Sequence, residues 1–133
     1  MVRMKPKLLW TDPGLPPRRE DNVKATVYAI AFKPDRTQMV VAVSNLVLVY
    51  ATSDGDLVHR LRGHKDVVYC VDYARDGLRF ASGGADKTVI IWNYKGDGIL
   101  KFTHNESIQI VCYNPTTEQL ASCMAQRPPT GAF

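Results

Sequence analysis

No apolar run in this 133-residue chain approaches the roughly 18 residues that a membrane-spanning helix needs. The longest run, at residues 46–51, has the length of a strand. The basic amino terminus offers only Leu8-Leu9-Trp10, too short for the apolar core of a secretion signal. A secreted or membrane-spanning protein is therefore not expected. Cysteine is scarce: Cys70, Cys112 and Cys123 form an odd set without a C-x-x-C spacing, and are expected to be buried small hydrophobes rather than a disulfide framework. Together with His59, His64 and His104 they show no metal-ligand spacing. Gly96-Asp97-Gly98 is a hairpin turn and not a phosphate loop, which would need G-x-G-x-x-G ahead of a helix. No cofactor and no metal are expected. Asn105-Glu106-Ser107 matches a glycosylation acceptor, but such a triplet matters only in the secretory route.

Charge of one sign is also missing. The 17 basic and 13 acidic residues leave a net charge of +4, spread along the chain. The short basic clusters (Lys5 and Lys7, Arg18-Arg19, Arg60 and Arg62 with Lys65) are each interrupted by apolar or acidic residues, and read as solvated surface. A nucleic-acid footprint would concentrate on one face and interleave with aromatic platforms, so no nucleic-acid partner is expected. With 45% hydrophobic and 23% charged residues, the composition is that of an ordinary globular chain.

What the chain does have is a repeat. TVYAIAFKPDRTQMVVA from Thr26, VVYCVDYARDGLRFASG from Val67 and SIQIVCYNPTTEQLASC from Ser107 align without gaps. Phe32, Tyr73 and Tyr113 are equivalent, spaced by 41 and then 40 positions; Tyr50 and Trp92 are 42 apart, and His64 and His104 are 40 apart. A period of about 40–45 residues with four strands per unit and a G-H…W pattern belongs to propeller blades. In the middle unit, strands are predicted over 67–73, 78–83, 88–92 and 99–103, joined by the turns Ala74-Arg75-Asp76-Gly77, Gly83-Gly84-Ala85-Asp86-Lys87 and Lys95-Gly96-Asp97-Gly98. Both alternating faces of VVYCVDY and TVIIW are largely apolar, so these strands need cover on both sides.

The unit GHKDVVYCVDYARDGLRFASGGADKTVIIW resembles a WD repeat, with Gly63-His64 at its start and Trp92-Asn93 where a Trp-Asp pair usually stands. The stretch from Gly63 through Cys123, with GILKFTHN and YNPTTEQLASC, is similar more narrowly to WD-repeat subunits of intraflagellar transport complex A. TSDGDLVHRLRGHK and AIAFKPDRTQ extend the likeness back to about Ala29; before that only Leu9-Trp10-Thr11-Asp12 matches loosely. The resemblance implies an all-β fold of WD40 β-propeller blades. It also implies a non-enzymatic scaffold in retrograde ciliary transport and cilium assembly, with other complex A subunits and ciliary cargo as partners. The implied locations are the cilium, its base and the cytoplasm. The alternatives are a general WD40 adaptor in an unrelated complex, or a truncated variant without function.

The expected organisation is a leading strand and Pro-rich loop (residues 1–25), a WD-like blade (26–62), a full WD blade (63–103), a partial blade (104–123) and a divergent tail (124–133). Propellers need roughly 4–8 blades. About two and a half are present, so the ring is incomplete and the chain is expected to be part of a longer protein or a variant of one. Residues 7–10 are predicted to supply a strand that closes a ring by pairing with a distant blade. Pro128-Pro129 argue against a further strand in the tail.

His64, Ser82 and Asp86 include the residue types of a hydrolytic triad. In WD repeats the matching positions, here His64, Ser82, Asp86 and Trp92, form a hydrogen-bonded structural tetrad. A serine inside the strand Phe80-Ala81-Ser82-Gly83 has neither the exposed elbow nor the oxyanion hole that catalysis needs. The first unit has Tyr50 in place of Trp, no Gly-His, and Ser44-Asn45 near the Asp position. It is expected to be held by Ile30, Phe32, Val41, Val43, Leu46, Leu48 and Val49. The third unit keeps His104 and Ser122 but has Gln126 at the Asp position. Finally, Pro13, Pro16 and Arg18 fit a P-x-x-P-x-R ligand for aromatic-lined grooves, a string that also occurs in plain Pro-rich loops.

Overall fold

Strands that are apolar on both faces must be stacked sheet against sheet, and the computed structural model of the chain does this three times. It describes residues 8–10 and 26–125, in which ten strands and no helix occur. The first sheet runs β1 (Val27–Phe32), β2 (Gln38–Val43), β3 (Leu46–Ala51) and β4 (Leu57–Arg62), antiparallel in sequence order. The second repeats this with β5 (Val68–Tyr73), β6 (Arg79–Gly84), β7 (Thr88–Asn93) and β8 (Gly98–Thr103). A third sheet holds β9 (Ile108–Tyr113) and β10 (Leu120–Met124). The fold is thus all-β, an open arc of propeller blades. Strand ends differ from expectation by a residue: Gly84 pairs with Val68 and so belongs to β6. Leu78 is left in the turn because its amide is held by the Asp76 carboxylate at 2.9 Å.

The cores lie between blades. Val40, Ala42, Val47, Val49 and Leu61 of the first blade meet Val68, Val71, Tyr73, Phe80, Ile90 and Trp92 of the second. Cys70, Ala81 and Val89 on the opposite face of the second blade meet Ile108, Val111 and Tyr113 of the third. Polar ties cross the same junctions: the Val68 amide donates to the Ser44 carbonyl at 2.7 Å, and the Tyr113 amide to the Asp72 carboxylate at 2.7 Å. Glycine lets the sheets close. A Cβ on Gly84 would collide with the Val67 carbonyl oxygen, whereas one on Gly98 would find only ordinary contacts with Trp92, at 3.5 Å.

Several expectations need correction. Ile30 and Phe32 do not hold the first blade: they are 55% and 64% exposed, because they face the side where no sheet precedes among the described residues. Val41, Val43 and Leu48 form that core as expected, joined by Tyr50, with Leu46, Met39 and Trp10 against it, while Val49 looks the other way into the next blade. Cys70 is buried as expected, but Cys112 and Cys123 are exposed, since among the described residues no sheet covers the far face of β9 and β10. Residues 8–10 are not a strand; Trp10 lies on Tyr50 with ring centroids 5.6 Å apart, and its indole N–H donates to the Thr52 carbonyl at 3.3 Å. Lys7 and Pro128-Pro129 fall outside the described residues, and Met124, expected in the tail, ends β10.

Replacing Gly84 by Ala should lower the unfolding free energy by about 1–3 kcal/mol, the usual cost of overpacking a tight site, while Gly98→Ala should be nearly silent. Urea melts of both variants check this, and equal midpoints would contradict the packing described.

Candidate functional site

The middle blade brings His64, Ser82, Asp86 and Trp92 together. His64 stands in the loop entering β5, Ser82 in β6, Asp86 in the β6–β7 hairpin and Trp92 in β7. The Trp92 indole N–H donates to Ser82 Oγ at 2.8 Å. Because that oxygen already accepts, its own proton goes to His64 Nε2 at 2.7 Å. The imidazole therefore carries its hydrogen on Nδ1 and donates it to the Asp86 carboxylate at 3.0–3.1 Å. Asp86 also accepts from the Lys65 amide at 3.0 Å, from the Thr88 amide at 3.2 Å and from the Thr88 hydroxyl at 2.7 Å. Each of the four side chains in this relay thus has a hydrogen-bond partner, as burial demands.

The electrostatics follow from this order. Burial disfavours the imidazolium and holds His64 below the ordinary imidazole range, against the upward pull of Asp86 and with a small downward push from Lys101. Burial alone would raise Asp86, but hydrogen bonds from Thr88, His64 and the Lys65 amide outweigh it and keep the carboxyl below its usual range. The His64–Asp86 contact is therefore a hydrogen bond from a neutral imidazole to a carboxylate, not an ion pair. As chemistry, Trp–Ser–His–Asp is a closed relay. Ser82 is fully buried, so its oxygen lies out of reach of a substrate carbonyl carbon.

Sequence reasoning missed Thr88, which gives Asp86 two of its hydrogen bonds. The signal was legible: Asp35-Arg36-Thr37 makes the same turn, with Asp35 accepting from the Thr37 amide at 2.9 Å and hydroxyl at 2.6 Å. Equivalent sites elsewhere differ. In the first blade the β2–β3 hairpin is only Ser44-Asn45, one residue shorter than Ala85-Asp86-Lys87, so no carboxylate can stand there. Val41 and Tyr50 occupy the Ser82 and Trp92 positions within an apolar cluster. In the third blade Ser122 is exposed and His104 half-buried; the His104 amide donates to the Lys87 carbonyl at 2.7 Å. Gln126, Pro13, Pro16 and Arg18 lie outside the described residues. Among the described residues no three His, Cys, Asp or Glu side chains group to hold a metal, and no helix is long and apolar enough to cross a membrane.

Ser82→Ala should cost about 1–3 kcal/mol by urea melt, because it strands the indole N–H and His64 Nε2 together. Acid should act on the same relay. His64 takes up its proton more readily in the unfolded chain, so its contribution is complete above an ordinary imidazole value of about 6.5 and is lost as pH falls below it. The Asp86 contribution is lost further down, as pH falls below about 3.8. Unfolding free energies measured from pH 8 to 5 should decline by up to about 1.4 kcal/mol per unit, and His64→Gln should flatten that decline. An unchanged slope in the variant would contradict a buried neutral imidazole.

Comparison with known proteins adds the family. A model of the IFT122 first beta-propeller matches residues 26–128. Over 103 residues, 77% of this chain, the sequence is 64% identical to the intraflagellar transport protein 122 homolog of Xenopus tropicalis and 61% identical to that of Homo sapiens. The matched stretch spans only 9% and 8% of those proteins, respectively. Among solved structures, U3-55K superposes with a TM-score of 0.71 at 22% identity, over 75% of this chain and 33% of that one, a likeness of fold.

Proposed function

The chain belongs to the family of the IFT122 first beta-propeller, and on that premise we propose that it acts as a non-enzymatic WD-repeat scaffold of intraflagellar transport complex A. The observation that carries this reading is the 61–64% identity maintained over 103 residues, together with the family match over residues 26–128. Its partners would be the other subunits of that complex and ciliary cargo, and its setting retrograde transport and cilium assembly, at the cilium, its base and the cytoplasm. A propeller by itself offers only a platform, so the transport role rests on relatedness.

Within this reading the His64, Ser82, Asp86 and Trp92 relay, with Thr88, is structural. It fastens the loop before β5 and the β6–β7 hairpin to the third strand, and so holds the blade's loops in one arrangement. A scaffold needs this because its binding surface is made of loops positioned by a rigid frame. The complete burial of Ser82 favours such a role over hydrolysis.

A chimera tests the proposal. Residues 26–125 should replace the matching segment of the Xenopus tropicalis homolog without loss of ciliary localisation or of recovery of complex A subunits in pull-downs from ciliated cells. The chimera should recover those subunits better than the 133-residue chain does. A chimera that folds but stays out of the cilium and recovers no subunit would overturn the reading. Equal recovery by the short chain would place the contact surface in these blades alone.

A further inference from the structure

The segment that leads from the first blade into the second carries uncompensated positive charge. In the run Arg62-Gly63-His64-Lys65, Gly63 lies on the second blade: a Cβ on it would come within 3.1 Å of Ile90 Cδ1. Ile90 is paired in register with Lys101 of β8, so the Lys101 side chain shares its face and stands beside that run. The Lys65 amide is held by Asp86 at 3.0 Å, and Lys87 follows Asp86 in the β6–β7 hairpin. Arg62, Lys65, Lys87 and Lys101 are thereby gathered around the relay, and all are exposed. The carboxylate among them is committed: the Asp86 side chain is only 6% exposed, and its oxygens serve His64, Thr88 and the Lys65 amide. Asp66, next in the chain, turns back on the Val67 amide at 2.7 Å. Among the described residues none of these cations has a carboxylate at ion-pair distance, whereas Lys33 and Arg79 at the other rim do, at 3.1 and 3.5 Å.

This exposure does not come from an uncovered sheet. Lys101 looks towards the four-stranded first blade. Thr103, the counterpart of Arg62 by register, is exposed although that same blade precedes it. Like charges without counter-charges repel, and an acidic partner supplies what the fold withholds. We propose that this corner is a docking surface for an acidic, extended segment of a partner protein, with carboxylates strung along Arg62, Lys65, Lys87 and Lys101. The surroundings favour a polypeptide over other polyanions. A single-stranded nucleic acid needs aromatic rings between the cations on which its bases stack, and the ring within this run, His64, is buried. A bilayer surface takes apolar side chains along with basic ones. Phe102 and Leu100 of β8, however, pair with Val89 and Ile91 and face the third blade, away from Lys101. The inference rests on this charge layout and not on the transport reading, so each can fail without the other.

Fluorescence anisotropy of a labelled peptide of alternating glutamate and serine, titrated with the 133-residue chain, tests it. The parent chain should bind, and more weakly as salt rises. Arg62→Glu with Lys65→Glu should weaken binding at least about tenfold. Lys65 serves the relay through its backbone amide, which the substitution keeps, and a urea midpoint checks the fold. Arg36→Glu with Lys95→Glu, in turns at the opposite rim, makes the same change in net charge and should leave affinity within about twofold. The milder pair Lys87→Gln with Lys101→Gln, which adds no acid beside Asp86, should weaken binding about threefold. Equal weakening by the two charge reversals, the mark of diffuse attraction, would overturn the proposal. So would a parent chain that leaves the peptide free, or one that ignores it but pellets with phosphatidylserine vesicles, which would assign the corner to a lipid surface.

Discussion

Burial of sheet against sheet is the constraint on which the rest of this structure depends. Strands such as Thr88–Asn93 are buried over nearly their whole length, so the middle blade needs cover on both faces. Packing supplies that cover at the two junctions; at the first, Phe80 and Trp92 stack at 6.4 Å and Tyr73 leans on Phe80 at 5.2 Å. Because each buried aromatic or aliphatic side chain contributes roughly 1.5–3 kcal/mol, a junction of a dozen residues outweighs anything a single sheet gains from its own ladder. Exposure follows this rule outward. Leu61, on the outer strand of the first blade, is 7% exposed beneath a complete second blade, while Phe102, its counterpart one blade on, is 47% exposed beneath a two-stranded sheet.

Within that apolar stack the blades solve their hairpins differently. The second buries a polar relay in which each proton has one acceptor, and the depressed titration of both His64 and Asp86 reflects a network tuned to one protonation state. The first lacks the residue that would seat a carboxylate, and fills the equivalent space with Val41 and Tyr50.

Much of this was legible in the sequence. The 40–42-residue spacing of Phe32, Tyr73 and Tyr113, and of Tyr50 and Trp92, locates the blades, because each repeat is one four-stranded unit and cannot drift. The positions His64, Ser82, Asp86 and Trp92 were picked out through the resemblance to WD repeats, whose matching positions form a hydrogen-bonded tetrad. What a periodic pattern cannot show is which repeats have neighbours. Ile30 carries the same apolar signature as the covered Val71, and Ile110 the same as the covered Cys70, and only the three-dimensional order reveals that among the described residues one face at each end is bare. The fate of Trp10 was equally hidden. A short apolar stretch reads as a strand, but the φ of +79° at Gly55 opens a turn against which the indole lies, and the side chain packs there without any ladder. Thr88 escaped notice because hydroxyl caps in turns are local and common.

Native-state hydrogen exchange in dilute solution tests most directly the claim that neighbours, not ladders, stabilise the blades. The β2–β3 and β6–β7 ladders are both inner ladders of four-stranded antiparallel sheets, so ladder strength alone would protect their amides alike. Two-sided cover instead predicts the slowest exchange in the β6–β7 ladder, faster exchange in β2–β3 and the fastest in β9–β10. Equal protection of β9–β10 and β6–β7 would contradict the account.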